Sequence, residues 1–192
     1  AARSVHDLSP RNEGPFVAVN CAALAPDLLE STLFGHTRGS FTGAIADREG
    51  LFGAAHKGTL FLDEVGEATA AVQARLLRVL QEKRFTKVGS TVEQEADVRV
   101  IAATNRDLRQ EVAERRFRED LFYRLHVFPI AMPPLRERRD DVVLLAEMFL
   151  ERAAARHGVA TPRFGARALA ALVEHPWPGN VRELANVMEA AT

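Results

Sequence analysis

Apolar residues recur along this chain at two spacings, and the change from one to the other divides it. Short apolar runs of strand type stand at 16–20, 58–62 and 98–103, with a fourth at 127–131. Pro26 and Asp27 open a helical pattern carried by Leu28, Leu29 and Leu33, with proline suited to a first turn. Residues 67–83 repeat at helical spacing, placing Val72, Leu76, Leu77, Val79 and Leu80 on one face. Glycines accumulate over 35–50, which predicts a loop inserted into helical surroundings. Residues 85–92 predict a hairpin turning at Gly89-Ser90. Strands alternating with helices imply a parallel α/β sheet. After Pro133-Pro134 the spacing is helical throughout: 140–156 closed by Gly158, then Ala166–Glu174, then 181–191, with Pro176-Trp177-Pro178-Gly179 breaking the last two apart. The expected organisation is an α/β domain over 1–138 and a small helical domain over 139–192.

Composition narrows the picture. With 192 residues, 47% of them hydrophobic and 27% charged, the chain can bury a real core in one domain plus a satellite. Lys plus Arg (25) nearly balances Asp plus Glu (26), so the cationic excess that phosphate-backbone contact requires is missing. These residues are not expected to hold DNA by themselves. Cys21 is the only cysteine, which excludes an intrachain disulfide and a zinc cluster and suits a reducing compartment. The apolar runs are too short to span a bilayer, and residues 1–6 lack the apolar core of a signal peptide. The expectation is a cytoplasmic protein. The chain starts without methionine inside a helical pattern, so it reads as a piece of a longer protein.

Several polar residues stand where chemistry is plausible. Asp63 and Glu64 end an apolar strand, where ligands of open α/β sheets bind. In a nucleotide hydrolase the first carboxylate orients Mg²⁺ and the second polarises the attacking water. A strand ending at a polar helix cap fits the same residues equally well. Strand alternation would send the two side chains to opposite faces. Asn105, after Thr104 at the end of the next strand, suits a terminal phosphate or an ordinary turn. Asn20 ends the first strand, where it either restrains Glu64 or simply terminates the strand.

Arg118 and Arg124 flank an acidic helical stretch. Each suits a phosphoryl group offered by a neighbouring subunit, or plain solvent exposure. Six residues apart on a regular helix they point roughly 120° apart, so both reach one phosphate only if the helix begins or bends between them. Arg182 follows Asn180, a predicted N-cap with Glu183 in a capping-box arrangement. A cation in the first turn opposes the helix dipole but suits a phosphate site. Gly39-Ser40-Phe41-Thr42-Gly43-Ala44 is the most specific signal. A Phe at a glycine-flanked tip is costly to expose unless something binds it, the alternative being a ring folded back into the core.

Together these stretches resemble the central domain of bacterial enhancer-binding proteins, the AAA+ activators of sigma-54 RNA polymerase. The match covers essentially the whole chain. Its markers include Val19-Asn20-Cys21-Ala22-Ala23-Leu24, Leu33-Phe34-Gly35-His36, the hexapeptide and Gly58-Thr59-Leu60-Phe61-Leu62-Asp63-Glu64. It continues through Ala103-Thr104-Asn105-Arg106-Asp107-Leu108, Phe117-Arg118-Glu119-Asp120-Leu121, Pro133-Pro134-Leu135-Arg136-Glu137-Arg138 and Trp177-Pro178-Gly179-Asn180-Val181-Arg182-Glu183-Leu184.

The resemblance implies a P-loop NTPase-like sheet sandwiched by helices, with a helical lid, using ATP and Mg²⁺. It implies that Asp63 and Glu64 are the Walker B pair and that Asn105 lies in sensor I. Arg118 and Arg124 become arginine fingers, Arg182 the sensor II arginine and Asn20 the switch on the catalytic glutamate. Gly39, Ser40, Phe41, Thr42, Gly43 and Ala44 become the sigma-54-contacting loop, within about 35–50. The implied assembly is a homo-oligomeric ring, usually a hexamer. DNA contact would come from a separate domain, and receiver domains of two-component systems are common in the family.

Two departures stand out. Ser40 replaces the usual Ala, keeping the aromatic and the hydroxyl that follow it. No G-x-x-x-x-G-K segment occurs. The family places that loop, and the strand leading into it, just before Ala1, inside the sheet between two strands of this chain. The intact protein is therefore expected to be an ATPase, and this segment alone inactive. A non-hydrolysing sigma-54-binding module and a different AAA+ remodeller are the competing expectations.

Overall fold

A computed structural model describes all 192 residues. The chain forms two compact units, Ala1–Pro129 and Ile130–Thr192. The first begins with α1 (Ala2–Asp7), β1 (Phe16–Asn20) and α2 (Pro26–Phe34), followed by β2 (Gly35–His36), β3 (Arg48–Glu49) and α3 (Leu51–Ala54). Then come β4 (Thr59–Asp63), α4 (Ala70–Glu82), β5 (Arg84–Thr86), β6 (Glu93–Glu95) and β7 (Arg99–Ala102), and finally α5 (Leu108–Ala113) and α6 (Glu119–Leu125).

The expected parallel sheet is present, in the order β1-β4-β7. Phe16 pairs with Thr59 and Thr59 with Arg99, so all three strands run to a common carboxyl end. The middle strand has a neighbour on either side, and Leu60 and Leu62, on the face that meets α2 and α4, are fully buried. Around them pack Leu29, Leu33, Phe34, Phe52, Val72, Leu76 and Leu121.

Helix α4 begins later than the 67–83 pattern predicts. Residues Val65–Glu67 form a 3-10 turn, and Thr69 caps the helix by accepting a hydrogen bond from the Val72 amide at 3.4 Å. Its apolar stripe is the predicted one. The predicted hairpin is present too, with Thr86 opposite Glu93 and a turn closed by Ser90 N–H to Lys87 O at 3.1 Å.

The predicted fourth strand at 127–131 does not form. A strand is defined by its ladder, and these residues pair with nothing; Val127, Phe128 and Ile130 are exposed at 65%, 89% and 71%. Apolar alternation reports strand character but cannot supply a neighbour.

The second unit holds a 3-10 turn at Leu135–Glu137, α7 (Asp140–His157), α8 (Ala166–Glu174) and α9 (Asn180–Ala190). Its core is Leu135, Val142, Ala146, Leu150, Leu172, Trp177, Leu184 and Met188. Residues 130–138, expected with the α/β domain, go with this unit because Leu135 is fully buried in the helical core. Gly158 closes α7 in the left-handed conformation (φ 67°), as its position predicts. Trp177 donates its indole N–H to Leu172 O at 2.8 Å, so the one polar atom of this buried ring is satisfied.

Candidate functional site

Because the three strands are parallel, their last residues gather at one end of the sheet. Asn20 stands opposite Asp63 in the β1-β4 register, and the Cys21 amide bonds Asp63 O at 2.8 Å. The ends of β4 and β7 are stitched by Ala103 N–H to Leu62 O (2.8 Å) and Val65 N–H to Ala103 O (3.0 Å). That stitching brings Asn105 to Glu64, whose Oε2 accepts the Asn105 backbone N–H at 3.1 Å.

Glu64 is not a strand residue. Its backbone sits in the left-handed region (φ 53°), which turns the chain sharply out of β4. The two carboxylates therefore diverge through a backbone turn rather than through strand alternation. Sequence could not reveal this, since nothing in a glutamate announces a positive φ. Both acids are half-buried, and their charge is felt next door: burial first, then Asp63 and Glu64, push the Cys21 thiol up to about 11. A thiol held so firmly protonated is an inert packing group.

Asn20 lies beside Asp63, but its carboxamide oxygen accepts the Ala22 amide at 2.8 Å and makes no bond to Glu64. Asp63, Glu64 and Asn105 stand at the same carboxyl end of the sheet, with Glu64 and Asn105 joined by the backbone bond. No three or more His, Cys, Asp or Glu side chains converge into a metal cage.

Arg118 is the N-cap of α6 and Arg124 lies in its last turn, so the helix begins between them. At rest both are engaged within the chain. Arg118 grips Asp120 in a two-pronged bond (Nε–Oδ1 3.0 Å, Nη2–Oδ2 2.8 Å), and Arg124 donates to Leu80 O at 3.0 Å.

The sequence reading missed Gln73, which is almost fully buried. It donates to Ala68 O (2.7 Å) and Arg116 O (3.0 Å) and accepts the Arg118 amide (2.9 Å). It thus fixes where α6 starts against α4. A polar residue at a core position of an otherwise apolar stripe was the available signal.

Arg182 lies in the other unit, exposed in the first turn of α9 and without a hydrogen bond or ion pair. Asn180 does not cap that helix as predicted. Its backbone is left-handed (φ 52°) and its Oδ1 accepts the Leu135 amide at 2.7 Å, so the side chain ties down the 3-10 turn. Half of the predicted box survives one residue earlier, as Gly179 N–H to Glu183 Oε2 at 2.8 Å.

The hexapeptide projects from a closed neck. Gly35 pairs with Glu49 and His36 with Arg48, so the loop predicted over 35–50 leaves and re-enters at one point. A Cβ on Gly35 would stand 2.5 Å from Arg48 O, and one on Gly50 would overlap the Gly35 nitrogen. The tip is a small turn held by Gly39 N–H to Ala44 O (2.8 Å) and Ala44 N–H to Phe41 O (3.0 Å). Phe41 is 39% exposed, neither free nor folded into the core; one edge rests on His36, ring centroids 5.0 Å apart. Gly89 of the neighbouring hairpin abuts Ser40, leaving no room for a Cβ.

The first unit is thus an α/β protein with an acidic pair at the carboxyl end of its central parallel strand, and the second is a small helical unit. Residues 1–131 match the Sigma-54 interaction domain and residues 136–192 the AAA+ ATPase lid domain, and the chain belongs to the sigma-54 interaction domain family.

It is 53% identical over 188 residues to the Nif-specific regulatory protein of Herbaspirillum seropedicae, covering 98% of this chain and 35% of that protein. It is 55% identical over 190 residues to the formate hydrogenlyase transcriptional activator FhlA of Escherichia coli (strain K12), covering 99% of this chain and 28% of the relative. Among solved structures, NtrX from Brucella abortus in complex with ADP superposes with a TM-score of 0.89 at 40% identity, covering 98% of this chain and 41% of that one. NtrX in complex with ATP superposes equally well. The chain thus has the AAA+ fold and spans well under half the length of the relatives it matches. No helix is long and apolar enough to cross a membrane.

Proposed function

We propose that these residues are part of the ATP-hydrolysing motor of an intact sigma-54-dependent transcription activator. It works as a ring, hexameric by family expectation, that remodels the sigma-54 RNA polymerase closed complex. The observation that carries the hydrolytic part is Glu64, turned out of β4 and held by the Asn105 amide beside Asp63. A carboxylate that accepts a backbone N–H is fixed in direction, as a base for water must be.

Mg²⁺·ATP, when bound, supplies the phosphoryl group and the charge that the acidic pair answers. Asp63 would hold the cation and Asn105 would sense the terminal phosphate. Asn20 would act on Glu64 only after releasing Ala22. Arg118 and Arg124 would leave Asp120 and the Leu80 carbonyl to reach a neighbour's nucleotide, and Arg182, unengaged within its unit, would meet phosphate from the lid. Gly39, Ser40, Phe41, Thr42, Gly43 and Ala44 would present the contact surface for sigma-54. On this reading the protein is cytoplasmic, and DNA is held by a separate domain, in keeping with the balanced charge of these residues.

The test is ATP turnover by the full-length gene product and its Glu64→Gln variant. The amide keeps the shape and removes the base, so turnover should fall by about 10²- to 10⁴-fold while nucleotide binding survives. Turnover at the wild-type rate would remove Glu64 from the mechanism and the proposal with it.

A further inference from the structure

We propose that His36 is a positioning residue for Phe41: it is the joint through which α2 sets the direction of the loop's aromatic tip. The inference rests on the reading of the loop as a partner-contact surface and goes beyond it, because His36 lies outside the hexapeptide.

His36 is buried (9% exposed) just beyond α2, in the neck of the loop. Its Nδ1 shares a 2.7 Å hydrogen bond with Ser31 Oγ, and Ser31 is itself buried in α2. One bond to a fixed helix sets the rotation of the imidazole. The ring then meets Phe41 edge-on, at 5.0 Å between centroids and 69° between planes, a favoured geometry for an aromatic pair. The tip needs such a support. Gly39 and Gly43 are both left-handed (φ 79° and 104°), with open space where side chains would stand. A phenylalanine between two such residues samples many directions unless one contact selects among them, and binding must otherwise order it.

The same arrangement makes the tip follow α2. Ser31, His36 and Phe41 form a line of contacts from the helix to the exposed ring, and α2 follows directly on β1, whose last residue is Asn20. A shift of α2 moves Ser31, turns the imidazole and redirects Phe41. The other face of Phe41 stays available to a partner.

A double-mutant cycle on the full-length gene product tests this, with affinity for purified sigma-54 measured in the presence of a non-hydrolysable ATP analogue. His36→Asn keeps a hydrogen-bonding partner for Ser31 but removes the ring edge. It should weaken sigma-54 binding by about 2- to 10-fold, the range expected from one edge-on aromatic pair. Combined with Phe41→Leu it should add nothing further, because its effect passes through that ring. Ser31→Ala, which leaves the imidazole in place but frees its rotation, should weaken binding by a smaller factor and carries the test if His36→Asn melts early.

Wild-type affinity in both the His36→Asn and Ser31→Ala proteins would overturn the proposal. So would a full additional loss on the Phe41→Leu background. If Phe41→Leu alone leaves sigma-54 binding unchanged, the loop is not the contact surface, and the reading of function fails rather than the joint.

Discussion

At the scale of single side chains, the site depends on conformations that cost free energy locally. Glu64 holds a left-handed backbone, a strain of about 1–2 kcal/mol for a residue with a Cβ. Hydrogen bonds before and after the turn enforce it, since Leu62 O accepts the Ala103 amide and Val65 N–H donates to Ala103 O. Ser40 is a second local cost: its hydroxyl is buried with no partner. Replacing it with Ala, the residue the family usually carries there, should stabilise the protein by about 1 kcal/mol. Thermal melting of Ser40→Ala against wild type reads this directly; a lower melting temperature would show that the hydroxyl finds a partner in solution. Asp63, Asn105 and Phe41 were legible as candidates because their residue types are unusual for their places. The left-handed turn at Glu64 and the buried support under Phe41 were not, because both are set by neighbours distant in sequence.

Among the elements, β1, β4 and β7 were readable from short apolar runs, and α4 from its stripe. What failed was whatever depended on partners rather than pattern. Residues 127–131 have strand character without a ladder, and Asn180 has cap chemistry directed at Leu135 instead. The neck of the loop shows the same dependence. Glycines at 35–50 predicted a loop, yet two of them are present because two backbones touch. Gly50 has an ordinary extended conformation (φ −86°), so a Cβ there is barred by contact alone. Gly50→Ala should therefore cost about 1–3 kcal/mol, a drop of several degrees in melting temperature. An unchanged melt would mean that the neck opens freely and that the β2-β3 pairing contributes little.

For the whole molecule, the chain has two cores, each closed by its own side chains. Trp177 anchors the helical one with a full ring and one satisfied N–H. Trp177→Ala should destabilise that unit by about 3–5 kcal/mol, seen as loss of hydrogen-exchange protection across α7, α8 and α9. Protection retained at the wild-type level would show that the ring fills space without supporting the unit. The two-part architecture was legible from the change in hydrophobic spacing near Pro133-Pro134. The place of division was not, because one leucine decides it.

The closed neck has a consequence for how such a molecule can change. A segment that departs and returns through a two-residue ladder, and otherwise rests on the neighbouring hairpin through Thr37 N–H to Val88 O at 3.0 Å, takes no part in the register of the three-stranded sheet. Its tip can be lengthened, shortened or exchanged while β1, β4 and β7 keep their alignment and the acidic pair keeps its place. If the loop meets a partner as proposed, those residues are in this sense a replaceable fitting on a fixed frame. The tip can vary in this way only while Gly35, Gly50 and the histidine between them keep the neck closed.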